Sequence, residues 1–174
     1  LGYANRALWP VFHYRVDLAH FDEQDFATYE DVNRRFGRLL AQLTRPDDIV
    51  WIHDYHLLLV PAMVRAALPR APIGLFVHIA FPSSEIFRCL SRRGELLHGM
   101  LGADLIGFQT HNFCQHFRQT VSRILQLPTT ARGVPLKRSF VTVAPFPIGI
   151  DVHVLNRRRQ DPEVREWVDK LKDR

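Results

Sequence analysis

Four short apolar runs, separated by segments whose apolar residues recur every three or four positions, constrain the fold more than any other feature of this chain. The first, Ile49-Val50-Trp51-Ile52, is continuous rather than alternating, so it reads as a strand buried on both faces, with Trp51 in the core. Runs at 73–77 (IGLFV), 105–108 (LIGF) and 139–143 (SFVTV) give three more strands. Phe26, Tyr29, Val32, Phe36, Leu39, Leu40 and Leu43 fall at helical spacing, which predicts an amphipathic helix over 26–43. Further helices follow at 58–68, 84–90 (with Ser83 or Ser84 as N-cap) and 95–101. A long one after the Thr110 cap carries Phe113, Phe117, Val121, Ile124 and Leu125, and Pro162 opens a last one running to Arg174. Residues 128–138 read as a polar loop. Strand–helix alternation with buried strands implies βαβ units: an α/β fold with a Rossmann-like parallel sheet and helices on both faces. Four strands are few for such a sheet, and the leading helix has no strand before it. The chain therefore reads as the later part of a lobe.

An apolar fraction of 47% with 24% charged residues excludes a disordered or fibrous chain. No apolar run approaches the roughly 18 residues of a membrane span, and the opening LGYANRALWP is not a secretory signal. The net charge of +5 is scattered apart from Arg92-Arg93 and Arg157-Arg158-Arg159, which read as solvated faces, so no nucleic-acid partner is expected. Cys89 and Cys114 sit in apolar helical contexts and read as buried thiols of a reducing, cytoplasmic compartment.

In open parallel sheets ligands bind beyond the carboxyl ends of the strands. His53-Asp54-Tyr55-His56 follow the first strand, His78-Ile79-Ala80-Phe81-Pro82 the second, Gln109-Thr110 the third and PFPIGID the fourth. If the first two strands are neighbours, about 4.8 Å apart, Asp54 and His78 share one crevice, where a carboxylate and an imidazole can grip sugar hydroxyls. Asp54 reads equally as a helix N-cap, and His78 as a hydrogen-bonded histidine closing a strand. Trp9, in a turn-like LWP segment, reads as core or as a sugar-stacking platform. Three metal ligands within His53, Asp54 and His56 rarely converge on one ion, so no metal is expected. No GxGxxG, P-loop, GxSxG or CxxC pattern occurs.

The blocks LGYANRALWPVFHYR, DIVWIHDYHLLLVP, IGLFVHIAFPSSEIFR, ADLIGFQT and FPIGID stand in the order and spacing of trehalose-6-phosphate synthases, which the chain resembles over residues 1–155. The resemblance implies trehalose biosynthesis by a retaining GT-B glycosyltransferase that moves glucose from UDP-glucose to glucose 6-phosphate. It implies no cofactor, UDP-glucose being a co-substrate. Residues 1–150 then form part of the N-terminal acceptor-side lobe, and 151–174 a hinge and helix leading toward a C-terminal donor lobe. By position Asp54 resembles the aspartate that holds the acceptor, Trp9 the tryptophan lining its pocket, and His78 the histidine on the transferred glucose. Ile79 stands where anomer selectivity is shaped, and Asp54 and His78 are the catalytic candidates. The chain alone is expected not to turn over UDP-glucose.

Ala80 departs from the family's His-x-Pro-Phe-Pro and, with EIFRCL, resembles the synthase-like domains of fungal regulatory or phosphatase subunits. A non-catalytic scaffold working with other subunits of a trehalose-synthesising complex is thus the alternative.

Overall fold

The computed structural model describes residues 2–172. Ahead of the sheet come a π-helical turn (Ala4–Leu8), α1 (Trp9–Phe12) and α2 (Glu23–Leu43). Next are β1 (Val50–His53), a 3-10 turn (Tyr55–Leu57), α3 (Val60–Ala67), β2 (Ile73–Phe76), α4 (Ser84–Phe87) and α5 (Arg93–Met100). β3 (Leu105–Phe108), α6 (His111–Leu125), β4 (Gly133–Pro135) and β5 (Phe140–Pro145) complete the layer. α7 (Val152–Arg159) and α8 (Pro162–Lys172) follow, the end of the expected run to Arg174 lying outside the described residues. The sheet order is β1-β2-β3-β5-β4. Its first four strands are parallel and β4 pairs antiparallel with β5. This is the Rossmann-like parallel sheet that the alternating periods predict, but its helices pack on the face of Ile52, Leu75, Ile106 and Val143 rather than on both faces, among the described residues.

Local chemistry sets the helix starts. Asp22 caps α2 by accepting from the Gln24 amide at 2.7 Å, and Glu23 and Asp25 meet the positive end of the helix dipole. Thr110 caps α6 as expected, accepting from the Phe113 amide at 3.2 Å. At the amino ends of the strands the Arg65 guanidinium reaches the carbonyls of Pro69, Ala71 and Gly102 and pairs with Asp104, whose carboxylate also accepts from the Ile73 amide.

Several sequence readings need correction. β1 is not buried on both faces. Val50 and Ile52 point into the core, whereas Trp51, read as core, is 67% exposed and His53 stands beside it. The registers place Trp51, Gly74, Leu105 and Thr142 in one row, and His53, Phe76, Gly107 and Ala144 in the next, on that same open face. Among the described residues no helix covers it. The stripe on α2 is also rotated. Phe26, Tyr29, Asn33 and Gly37 are buried, while Val32, Phe36, Leu39 and Leu43 are exposed. A Cβ on Gly37 would stand 2.9 Å from Met63 Cβ, so α2 approaches α3 on its small and polar residues.

The LWP segment is helical rather than turn-like. The loop read over 128–138 carries β4, and the helix expected from Leu58 starts two residues later, after the 3-10 turn. The helix expected over 84–90 ends at Phe87. Ser83 takes the extended N-cap backbone without a side-chain cap bond. Cys114 is buried as expected, but Cys89 is exposed.

Phe81 is the hub of the core beneath the site. It has no exposed surface, and its ring lies 5.2–5.5 Å from those of Phe12, Phe87, Phe108 and Phe117. Those partners come from α1, α4, β3 and α6, so one side chain ties the segment after β2 to four elements. Phe81→Ala is expected to remove about 3–5 kcal/mol of stability, read as a lowered urea midpoint with an unchanged slope.

Candidate functional site

The segment leaving β1 turns through a backbone that ordinary residues avoid. Asp54 has φ 71° and ψ 173°, a conformation close to glycine-only that costs about 1–3 kcal/mol for any other residue. It persists because its surroundings over-determine it. The Asp54 amide donates to the Phe76 carbonyl at 2.7 Å, and the Asp54 carbonyl accepts from the Leu57 amide at 3.2 Å. Two buried side chains of α2 then fasten the residues that follow. The Tyr29 hydroxyl donates to the Tyr55 carbonyl (2.9 Å) and accepts from the Leu58 amide (3.1 Å). The Asn33 amide group donates to the His56 carbonyl (3.0 Å), and its oxygen accepts from the Leu59 amide (3.1 Å). Burial pushes the Tyr29 phenol far above its ordinary value, so it stays a neutral donor. Tyr55 is also raised, first by burial and then by the Asp54 charge.

So held, Asp54 does not cap the following turn. Its Oδ1 instead accepts from the backbone amide of His78 at 3.2 Å, across the carboxyl ends of the paired strands β1 and β2. Asp54 and His78 therefore do meet on one rim, but through the backbone of His78. The His78 imidazole turns the other way, onto the open sheet face, where its Nε2 lies 2.9 Å from His53 Nδ1. Behind His78, partly buried Ile79 packs on the core. Phe81 anchors the segment from below, its carbonyl 2.9 Å from His116 Nδ1. The Tyr14 hydroxyl accepts from the Ser83 amide at 2.9 Å.

Trp9 is 43% exposed and stacks on His13, with ring centres 4.2 Å apart. No hydrogen bond or ring contact joins it to Asp54 or His78 among the described residues. The turn preceding Trp9 does reach the segment after β1, since the Tyr55 hydroxyl stands 3.4 Å from Asn5 Oδ1.

The open face forms a shallow cavity of about 530 Å³ around Trp51, His53, Phe76, His78, Gln109 and Phe146. Gln109 also fastens the segment after β5, its Oε1 accepting from the Ile148 amide at 2.9 Å. Sequence reasoning weighed His53 only as a metal ligand and missed its contact with His78. The signal was available: His53 and His78 each lie within two residues of the carboxyl ends of strands proposed as neighbours. No three His, Cys, Asp or Glu side chains converge as a metal centre would require, among the described residues.

The family model described as Glycosyltransferase family 20 matches residues 1–174. The alpha,alpha-trehalose-phosphate synthase (UDP-forming) of Yarrowia lipolytica is 44% identical over 179 residues, covering 99% of this chain and 38% of its own length. The trehalose synthase complex regulatory subunit of Saccharomyces cerevisiae is 41% identical over 177 residues, covering 99% and 17%. Among solved structures, a UDP-forming alpha,alpha-trehalose-phosphate synthase from Burkholderia xenovorans in complex with glucose-6-phosphate superposes with a TM-score of 0.84 at 31% identity. The match covers 99% of this chain and 40% of that one. The chain thus spans less than two fifths of the length of these two curated relatives.

Two stability measurements test the local account. Asn33→Ala strands the Leu59 amide and the His56 carbonyl in the interior, and is expected to cost about 2–3 kcal/mol in urea denaturation. Asp54→Gly relieves the backbone where Asp54→Ala does not. The glycine variant is therefore expected to be the more stable of the two by about 1–2 kcal/mol, and equal midpoints would contradict the strained backbone.

Proposed function

Because this chain belongs to glycosyltransferase family 20, we propose that it forms the later part of the acceptor-side lobe of a retaining glucosyltransferase. In this reading the full-length protein transfers glucose from UDP-glucose to glucose 6-phosphate, yielding trehalose 6-phosphate and UDP in the cytoplasm. Residues 1–150 supply the acceptor side, and 151–174 lead as hinge and helix to a donor lobe elsewhere in the chain. The observation that carries the reading is the strained Asp54, held by α2 with its carboxylate on the rim shared with His78. Strain of this kind persists at sites where a side chain must face a ligand. The likeness to a relative solved with glucose-6-phosphate supports the choice of acceptor.

Each residue has a role in this scheme. Asp54 accepts from a hydroxyl of the acceptor sugar and orients it, and Trp9 lines the acceptor pocket with its half-exposed ring. His78 contacts the transferred glucose, with Ile79 beside it shaping the choice of anomer. The new bond to C1 forms on the face from which the UDP oxygen departs, and the proton of the incoming hydroxyl passes to that leaving phosphate. The protein thus contributes position and charge stabilisation rather than a nucleophile.

A second reading rests on one relative: the chain is 41% identical to a regulatory subunit, beside 44% to a synthase. Ala80, where active synthases carry proline, points the same way. Here the domain keeps the scaffold for assembly with other subunits of a trehalose-synthesising complex. Turnover by the wild-type full-length protein separates the two.

Asp54→Ala in that protein is expected to lower kcat/KM for glucose 6-phosphate by roughly 10- to 100-fold, the scale of a lost charge-assisted hydrogen bond. Its melting temperature should stay within a few degrees of the wild type. Unchanged acceptor affinity and turnover would remove Asp54 from the site.

A further inference from the structure

β1 ends on His53, whose side chain lies on the open sheet face, and His78 leaves β2 beside it. His53 Nδ1 is 2.9 Å from His78 Nε2, and the two rings stack with centres 5.2 Å apart and 27° between their planes. Each ring is backed by an aromatic neighbour 4.7 Å away, Trp51 for His53 and Phe76 for His78. A hydrogen bond between imidazoles needs one N–H and one lone pair, so it fixes the tautomers of both rings together. The nitrogen of His78 spent in this bond is Nε2. Only Nδ1 is left to meet a ligand.

The contact can run in either direction, and each leaves a different hydrogen on His78. With His53 Nδ1–H as donor and His78 Nε2 as acceptor, the hydrogen of His78 sits on Nδ1, the one nitrogen still free. The opposite direction leaves Nδ1 as a bare acceptor.

We propose that His53 is a positioning residue for His78. It holds the imidazole by Nε2 and keeps the remaining N–H, on Nδ1, as a donor toward a hydroxyl of the transferred sugar. This rests on the reading of His78 as a sugar contact, and it extends the site to a residue that lines the cavity on the open sheet face. The stacked, doubly backed geometry restricts rotation of the ring, so the donor is in place before the ligand arrives.

The test uses the full-length protein with His53→Ala and His53→Asn, because an asparagine N–H stands about where histidine places Nδ1–H. His53→Ala is expected to lower kcat by roughly 10- to 100-fold, the cost of misplacing a group that meets the reacting sugar. KM for glucose 6-phosphate should stay within about twofold, and His53→Asn should recover most of the loss. In protein labelled with 15N-histidine, the His78 signals, assigned by their absence in His78→Asn, should report Nδ1–H in the wild type and in His53→Asn. In His53→Ala they should report a mixture.

An Nε2–H tautomer of His78 in the wild type overturns the proposal. So does an unaltered kcat in His53→Ala, or a His53→Asn variant as slow as the alanine one. Failure of the underlying reading looks different: a wild type without turnover, or one indifferent to His78→Asn, removes the sugar contact. The ring-nitrogen signals still decide whether His53 sets the tautomer.

Discussion

Two side chains on one helix hold the segment on which the candidate site depends. Tyr29 and Asn33 reach from α2 into the turn after β1 and satisfy two carbonyls and two amides that would otherwise be buried without partners. Each such stranded group costs about 1–3 kcal/mol, so the turn can be both irregular and enclosed only while the pair is in place. The backbone of Asp54 follows from this constraint. A conformation that disfavours every side chain survives where its flanks are tied on both sides, here by β2 through the Phe76 carbonyl and by α2 through the residues beyond.

The segment after β2 is held by different means. Phe81 sinks three residues beyond His78 into a nest of aromatic rings from four elements, and edge and stacked contacts of this kind add to the burial itself. A polar clamp fixes one side of the rim and an apolar anchor the other. Between them the Asp54 carboxylate and the His78 amide are brought within a hydrogen bond without any contact that a short loop alone could enforce.

What the sequence shows of this is uneven, for physical reasons. The four parallel strands are legible because continuous apolar runs mark them, and the pairing of Asp54 with His78 follows from strand order. Trp51 misleads because an apolar run reports that a face suits burial, not whether the covering element lies within the same stretch of chain. β4 escapes notice since three residues beside Gly133 and Pro135 are too few to show a period. On α2 the apolar stripe suggests the wrong inward face. Asn33, four residues after Tyr29, is the polar residue on the truly buried side, and nothing in its residue type distinguishes a buried clamp from a solvated asparagine. Spacing puts His53 beside His78 at neighbouring strand ends, but their contact also depends on ring orientation, which no sequence pattern carries.

The left-handed turn at Asp54 also bears on how such a gene can drift. Either aspartate codon becomes a glycine codon by a single transition at its second base, and that exchange leads downhill in backbone energy. The side chain at this position therefore stands one base change away from a residue that would carry none of its backbone cost.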